Sequence, residues 1–361
     1  MTNKTPAVDD TKAMSSENAA ALTKLGMGVL FFIALSVFIV SCCGYADACS
    51  LMMKTNSQGT FVGRTLEWWG PVATRLVVIP RGFKDHDIGD HITWTVKYGT
   101  VAIEDDDKYS YSGEGINEKG LTAHLLTQGD SVMPALVPNK PTVNAMFWVK
   151  YVLATCSNVN EVVDGLRAYQ ITPMEGMYQG QKITNPLHFA VNDASGDAAI
   201  IEFNDGKLDV FHGPQYNVMT NEPRYTEQRA NLAKVRSEKK VYSVEQLPGG
   251  ANPMNRFVRN SFNMENMREP KTASQAIVFM EAAIDNVLVP TFDEKKNPVS
   301  PLSDAWEARY RVVYDLKNMN MYFDQDETGK RIYLKLKDVD FTSAKLKYIN
   351  PADHKSTYDL Q

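Results

Sequence analysis

Three of the four cysteines in this 361-residue chain lie between positions 42 and 49, in the stretch SCCGYADACS that closes an apolar N-terminal run. Within it, Ala46-Asp47-Ala48 has the small-x-small pattern of a signal-peptide cleavage site, and a cut after Ala48 makes Cys49 the first residue of the mature chain. An N-terminal cysteine carries its own general base. Its α-amine, with a reference pKa of about 7.7–8.0, takes the thiol proton directly or through one water, and no histidine is required. The fourth cysteine reads differently. In VNAMFWVKYVLATCSNVNEVVDGL, Met146, Val149, Val152, Leu153 and Cys156 recur at helical spacing, which predicts a buried small hydrophobe.

Whether Cys49 gains a free amine depends on the leader. Residues 1–24 are polar and end at Lys24, and Leu25–Ser41 then runs without a charge. That run of about 17 residues sits at the lower edge of the roughly 17–25 needed to span a bilayer. Export with removal of residues 1–48 is the favoured reading, leaving a domain of residues 49–361 in the periplasm or secreted. Lipidation of Cys42 at IVSC and a retained membrane anchor are the alternatives, and either leaves Cys49 without an amine. With a formal net charge of −5 and no long basic run, the chain shows no footprint for nucleic acid, and membrane contact is expected only through a retained leader.

The elements that must position Cys49 begin directly behind it. The apolar stretches CSLMM and TFVGRTLEW flank the turn-rich NSQG, which predicts an antiparallel hairpin turning near Ser57 and Gln58. Position 49 then lies opposite about position 66, and Arg64 and Glu67 come beside the thiol. A guanidinium there favours thiolate and a carboxylate holds the amine, whereas by type alone an Arg and a Glu at a strand end form a solvated pair. Further strand patterns near 92–103, 108–127, 186–203 and 207–218 alternate with helix patterns near 142–169 and 272–286, which suggests an α+β layered fold. NDASGD at 192–197 reads as a hairpin turn with Asp193 as turn-former, EDDDKY at 104–109 as a charged turn, and His188 as a core histidine. The six histidines show no metal-ligand spacing, DHDIGDH around His86 reads as a solvated loop, and no cofactor is expected.

Taken in order, Cys49, GRTLEW (63–68), GEGINEKGL (113–121), PLHFAVNDASGDAAIIEF (186–203), MTNEPRY (219–225) and LPGGANPMNRFVRNSF (247–262) resemble the choloylglycine hydrolases. These are N-terminal-nucleophile hydrolases of linear amides and include conjugated bile acid hydrolases and penicillin V acylases. The resemblance continues to ARYRVVYDLKNMNMYF and implies a four-layer αββα sandwich, a small-molecule amide substrate and a dimeric or tetrameric assembly. Carried over by position, Cys49 matches the nucleophile and Arg64 the arginine near it. Glu67 stands where the family usually has aspartate and would orient the amine. Asn221 matches the side-chain donor of the oxyanion hole, the Thr127 N–H the second donor, and Arg256 the second active-site arginine. Trp68 and Trp69 divide between core and pocket wall. Export and the RTLEW variant look more like members from Gram-negative bacteria, which tend toward penicillin V and acyl-homoserine-lactone cleavage.

Overall fold

Alternating apolar residues through most of the chain build two hydrogen-bonded sheets, seen in a computed structural model that describes residues 49–68, 72–88, 92–105, 110–178, 181–238, 243–291 and 306–353. In chain order their strands are β1 (Ser50–Asn56), β2 (Gly59–Glu67), β3 (Arg75–Ile79), β4 (Thr100–Glu104), β5 (Ser112–Asn117), β6 (Thr122–Thr127), β7 (Leu187–Asn192), β8 (Ala198–Asn204), β9 (Lys207–His212), β10 (Val218–Thr220), β11 (Ala308–Asp315), β12 (Asn320–Gln325), β13 (Lys330–Lys335) and β14 (Lys347–Ile349). One sheet has the order β10-β1-β2-β11-β12-β13, and the other β9-β8-β7-β6-β5-β4-β3-β14. Every pairing in both is antiparallel.

The β1–β2 hairpin turns where the sequence predicts. Asn56 pairs with Gly59, the Gln58 N–H donates to Asn56 Oδ1 at 2.9 Å, and Gly59 takes φ +138°, which favours a residue without a Cβ. Successive side chains then alternate between faces. Val62, Leu66, Tyr310, Val312 and Tyr314 join Val101, Ile103, Ile116 and Leu126 of the second sheet in one apolar cluster. Helix α5 (Ala273–Asp285) covers the outer face of the first sheet, and a Cβ on Gly63 would lie 2.9 Å from Ile284. Ala102, Ala123, Leu125, Phe189 and Ile201, on the outer face of the second sheet, pack with Trp148, Val152, Leu153, Val159 and Val162. The layer order is therefore helix, sheet, sheet, helix, the four-layer sandwich the motifs imply.

The single helix pattern near 142–169 resolves into two helices, α1 (Trp148–Thr155) and α2 (Val159–Gly165). Asn158 breaks it, because its side chain accepts from Glu161 N–H at 2.9 Å and starts a new helix. Cys156 caps α1 and is half-buried, so it is less enclosed than its spacing suggests. Asp193 forms its turn and also accepts from the Val159 N–H at 2.9 Å. Helices α3 (Tyr225–Glu238) and α4 (Pro253–Asn266) were not foreseen from periodicity. Two expectations of solvated charge are corrected. Glu104 ends β4 fully buried between Arg75 and Lys150, while Asp87 is buried and accepts from the Ile92 and Asn144 N–H groups. Residues 106–109 and His91 lie outside the described residues. His188 is a core histidine, 3.3 Å from Glu202 Oε1.

Candidate active site

Cys49 stands one residue before β1, where it is buried. The ladder pairs Ser50 with Thr65 and Leu51 with Arg64, so continuing it one step sets Cys49 opposite Leu66, as the hairpin arithmetic predicts. Arg64 precedes Leu66 by two residues and shares its face. Its guanidinium reaches across the layer to the second sheet, where Nη2 donates to the Leu125 carbonyl at 3.0 Å. Burial alone lowers the Arg64 pKa, but attraction to the ionisable groups around it, Cys49 first and then Glu114, outweighs burial and raises it. The Arg64 cation in turn favours a thiolate at Cys49.

Glu67 closes β2, and its backbone carbonyl lies 3.8 Å from Cys49 Sγ. Its side chain is fully buried, with Oε2 accepting from Thr65 Oγ1 at 2.9 Å and Oε1 accepting no hydrogen bond. Burial pushes its pKa up to about 7, against the pull of Arg256 and then Arg64. Arg64 and Glu67 are therefore not the solvated pair that residue type alone suggests. Both charges are enclosed, because a strand end that would face water in an isolated hairpin is capped here by α4 and the second sheet.

The other edge of β1 pairs with β10, Ser50 opposite Thr220, which brings Asn221 to the same end. Arg256 ties these pieces together from the start of α4. Its Nη1 donates to Cys49 O at 2.5 Å and Ser50 Oγ at 2.8 Å, its Nε to Ala251 O at 2.7 Å, and its Nη2 to Asn221 Oδ1 at 3.0 Å. Since a guanidinium only donates, the last bond fixes which way the Asn221 amide points. Burial lowers the Arg256 pKa, partly offset by Glu67 and Cys49. Asn221 Nδ2 in turn donates to Thr127 O and to Thr127 Oγ1, each at 2.9 Å. Gln228 Nε2 holds the Asn221 carbonyl at 2.6 Å, and both oxygens of Glu202 accept the Tyr225 N–H at 3.0 Å, which anchors α3 immediately behind.

Such a set could serve acyl transfer: a thiol within the field of a guanidinium, a carboxyl beside it, and an amide donor facing the end of a neighbouring strand. Among the described residues, no three His, Cys, Asp or Glu side chains converge on a cation-sized position.

Residues 48–349 match the model of the linear amide C–N hydrolases, choloylglycine hydrolase family. The chain belongs to this family. A penicillin V acylase of Pectobacterium atrosepticum is 29% identical over 304 residues, 79% of each chain. A bile salt hydrolase/transferase of Clostridium perfringens is 27% identical over 244 residues, 59% of this chain and 70% of that one. Among solved structures, a penicillin V acylase from Agrobacterium tumefaciens superposes with a TM-score of 0.73 at 29% identity, covering 84% of this chain and 91% of the other. A conjugated bile acid hydrolase from Clostridium perfringens shares the fold, with a TM-score of 0.69 at 21% identity over 83% of this chain and 96% of that one.

The hydrolase brings Cys49, Arg64, Glu67, Thr127, Asn221 and Arg256 to one end of β1. Both Asn221 Nδ2 bonds go to Thr127. Arg256 donates to atoms of the framework around Cys49 and Asn221. Trp68 is half-buried and packs edge-on against Trp306, ring centroids 5.1 Å apart. Trp69 and the leader, including Cys42 and the Ala48 side of the cleavage site, lie outside the described residues. Sequence reasoning passed over a buried polar group behind Arg64, made of Glu114, His124, Tyr310 and Tyr314. Its signal was present in GEGINEKGL and LTAHLL, where Glu114 stands between two glycines and His124 between Ala123 and Leu125.

Proposed function

We propose that this linear amide hydrolase is an exported cysteine amidase whose nucleophile is Cys49, freed with its α-amine by cleavage after Ala48. The observation that carries the reading is the seat of Cys49 at the end of a central strand, with its carbonyl held by Arg256 and its thiol beside Arg64 and Glu67. The start of the family match at residue 48, beside the small-x-small cut, supports the same point of cleavage.

Cys49 Sγ attacks the amide carbon as the α-amine takes the thiol proton, and the oxyanion that forms is met by Asn221 Nδ2 and the Thr127 N–H. Collapse breaks the C–N bond, with the protonated α-amine returning the proton to the leaving amine. Water then attacks the thioester, again giving its proton to the α-amine, and releases the acid and the Cys49 thiol. Glu67 orients the amine through this cycle. The relatives named penicillin V acylases, at 29% identity over most of the chain, support a penicillin V-type amide as substrate ahead of a conjugated bile salt, and an acyl-homoserine lactone is the second candidate, from the motif resemblance.

The test is intact mass of the protein recovered from the exporting cell, combined with hydrolysis of penicillin V, an N-acyl homoserine lactone and glycocholate. A chain starting at Cys49 that cleaves one of the first two, and a processed Cys49→Ala chain without activity, is the expected result. A chain that starts at Cys42 or keeps its leader yet remains active overturns the mechanism.

A further inference from the structure

Behind the site, between the sheets, lies a group of buried polar side chains that the hydrolytic steps above do not use. On β11, Val312 is the register partner of Arg64, so Tyr310 and Tyr314 flank the guanidinium on the same face. On the second sheet, Arg64 Nη2 binds the Leu125 carbonyl, next to His124, and His124 is the register partner of Glu114. Glu114 is fully buried. Its Oε2 accepts from Tyr314 Oη at 3.2 Å and lies 3.4 Å from His124 Nδ1. Four strands thus enclose one carboxyl group and one guanidinium, and each keeps polar atoms without a hydrogen bond: Glu114 Oε1, and Arg64 Nε and Nη1.

The other titratable groups facing this space carry little charge at neutral pH. Burial holds His124 below the ordinary imidazole range. Asp105, whose Oδ2 would lie 2.6 Å from a Cβ on Gly113, is pushed up to about 8 by burial and then by Glu114. Burial raises Tyr310 and Tyr314 well above the ordinary phenol value. On the thiol side, Cys49 is faced by Arg64, Glu67 and Arg256.

We propose that Glu114 is a positioning residue of the hydrolase site: held by Tyr314 and His124, it balances the Arg64 charge from behind and limits how far Arg64 favours the Cys49 thiolate. This rests on Cys49 as the reactive thiol. Charge neutralisation at a distance is its whole effect, since Glu114 belongs to the far sheet and acts through Arg64.

The test is the pH dependence of iodoacetamide alkylation at Cys49, read by peptide mass spectrometry, which needs no substrate and separates Cys49 from Cys156. Glu114→Gln keeps the shape and the Tyr314 contact and removes the charge. Its alkylation midpoint is expected to fall by about half a unit to one unit. Glu114→Asp keeps the charge and should stay near the parent, while Tyr314→Phe, which weakens the hold on the carboxylate, should move the midpoint the same way by less. A midpoint unmoved or raised in Glu114→Gln overturns the proposal, as does a Glu114→Asp shift as large, which would mark a packing effect. If Glu114→Gln does not fold, Tyr314→Phe decides by the sign of its shift. Failure to hydrolyse penicillin V would touch the substrate reading and leave these midpoints unaffected, whereas a parent Cys49 unreactive at every pH would overturn both.

Discussion

Asn221 is bonded at both ends of its amide, and that changes what its removal should do. Loss of one oxyanion donor typically raises the barrier by about 3–4 kcal/mol, so Asn221→Ala is expected to lower kcat by roughly 10² to 10³. It also removes the bonds to Arg256 Nη2 and Thr127 O in a buried site, so stability should drop by about 1–3 kcal/mol, measured by urea unfolding beside the kinetics. An intact fold with unchanged stability would show that these bonds are readily replaced. Glu67 gives a pH signature of its own. Its folded pKa of about 7 is above the ordinary 4.5, so folding favours the protonated form. Its contribution is fully present below about pH 4.5 and is lost as pH rises through about 7, on the order of 3 kcal/mol over that window. Urea midpoints between pH 4.5 and 8 should therefore fall more steeply in the parent than in Glu67→Gln. Equal slopes would place the titration elsewhere.

At the scale of elements, the sheets declare themselves in sequence because alternation and turn residues are local, and the β1–β2 hairpin with its 49-to-66 register could be drawn from NSQG alone. Helix α3 could not, since only Tyr225, Gln228 and Leu232 of its surface are buried and it leaves no apolar stripe. Helix α4 did leave a signal, Asn252 capping and Pro253 in the first turn, but its buried face includes Arg256, Arg259, Asn260 and Ser261, which periodicity scores as outward. The site residues were legible through family motifs, while their partners were not, because whether Arg64 meets water or Leu125 O is decided by a strand 61 residues away. GEGINEKGL has a reading the motif alone does not supply. A Cβ at Gly115 would lie 2.7 Å from Val101 O and 2.9 Å from Ala102 Cα, both backbone atoms of β4, which cannot rotate aside. Gly115→Ala should therefore cost about 1–3 kcal/mol, seen as a lowered thermal midpoint by circular dichroism, and it should loosen the strand that carries Glu114. A midpoint within error of the parent would mean that β4 and β5 separate more easily than their ladder suggests.

Across the whole molecule, no single element contains the site. Arg256 binds Cys49 O over 207 residues of chain, Asn221 binds Thr127 over 94, and Arg64 binds Leu125 over 61. β1 is paired on both edges, with β10 and β2, so moving the strand that begins directly behind Cys49 means opening two ladders. Lifting α4 away leaves Cys49 O, Ser50 Oγ and Asn221 Oδ1 without their shared donor, at about 1–3 kcal/mol for each buried group left unmet. Separating the sheets exposes the Arg64 and Glu114 charges and the apolar layer around them together. Local opening of the site therefore costs a large part of what global unfolding costs, which couples catalysis to the fold as a unit. Activity on the cleaved substrate and far-UV circular dichroism, followed through the same urea titration, should be lost at one midpoint. On dilution from urea, activity should return no sooner than the strand signal, because the contacts that complete the site are those with the longest loops to close. Activity vanishing at clearly lower urea than the ellipticity would mean that the end of β1 opens on its own, and that Arg256 holds Cys49 and Ser50 less firmly than its bonds to them indicate.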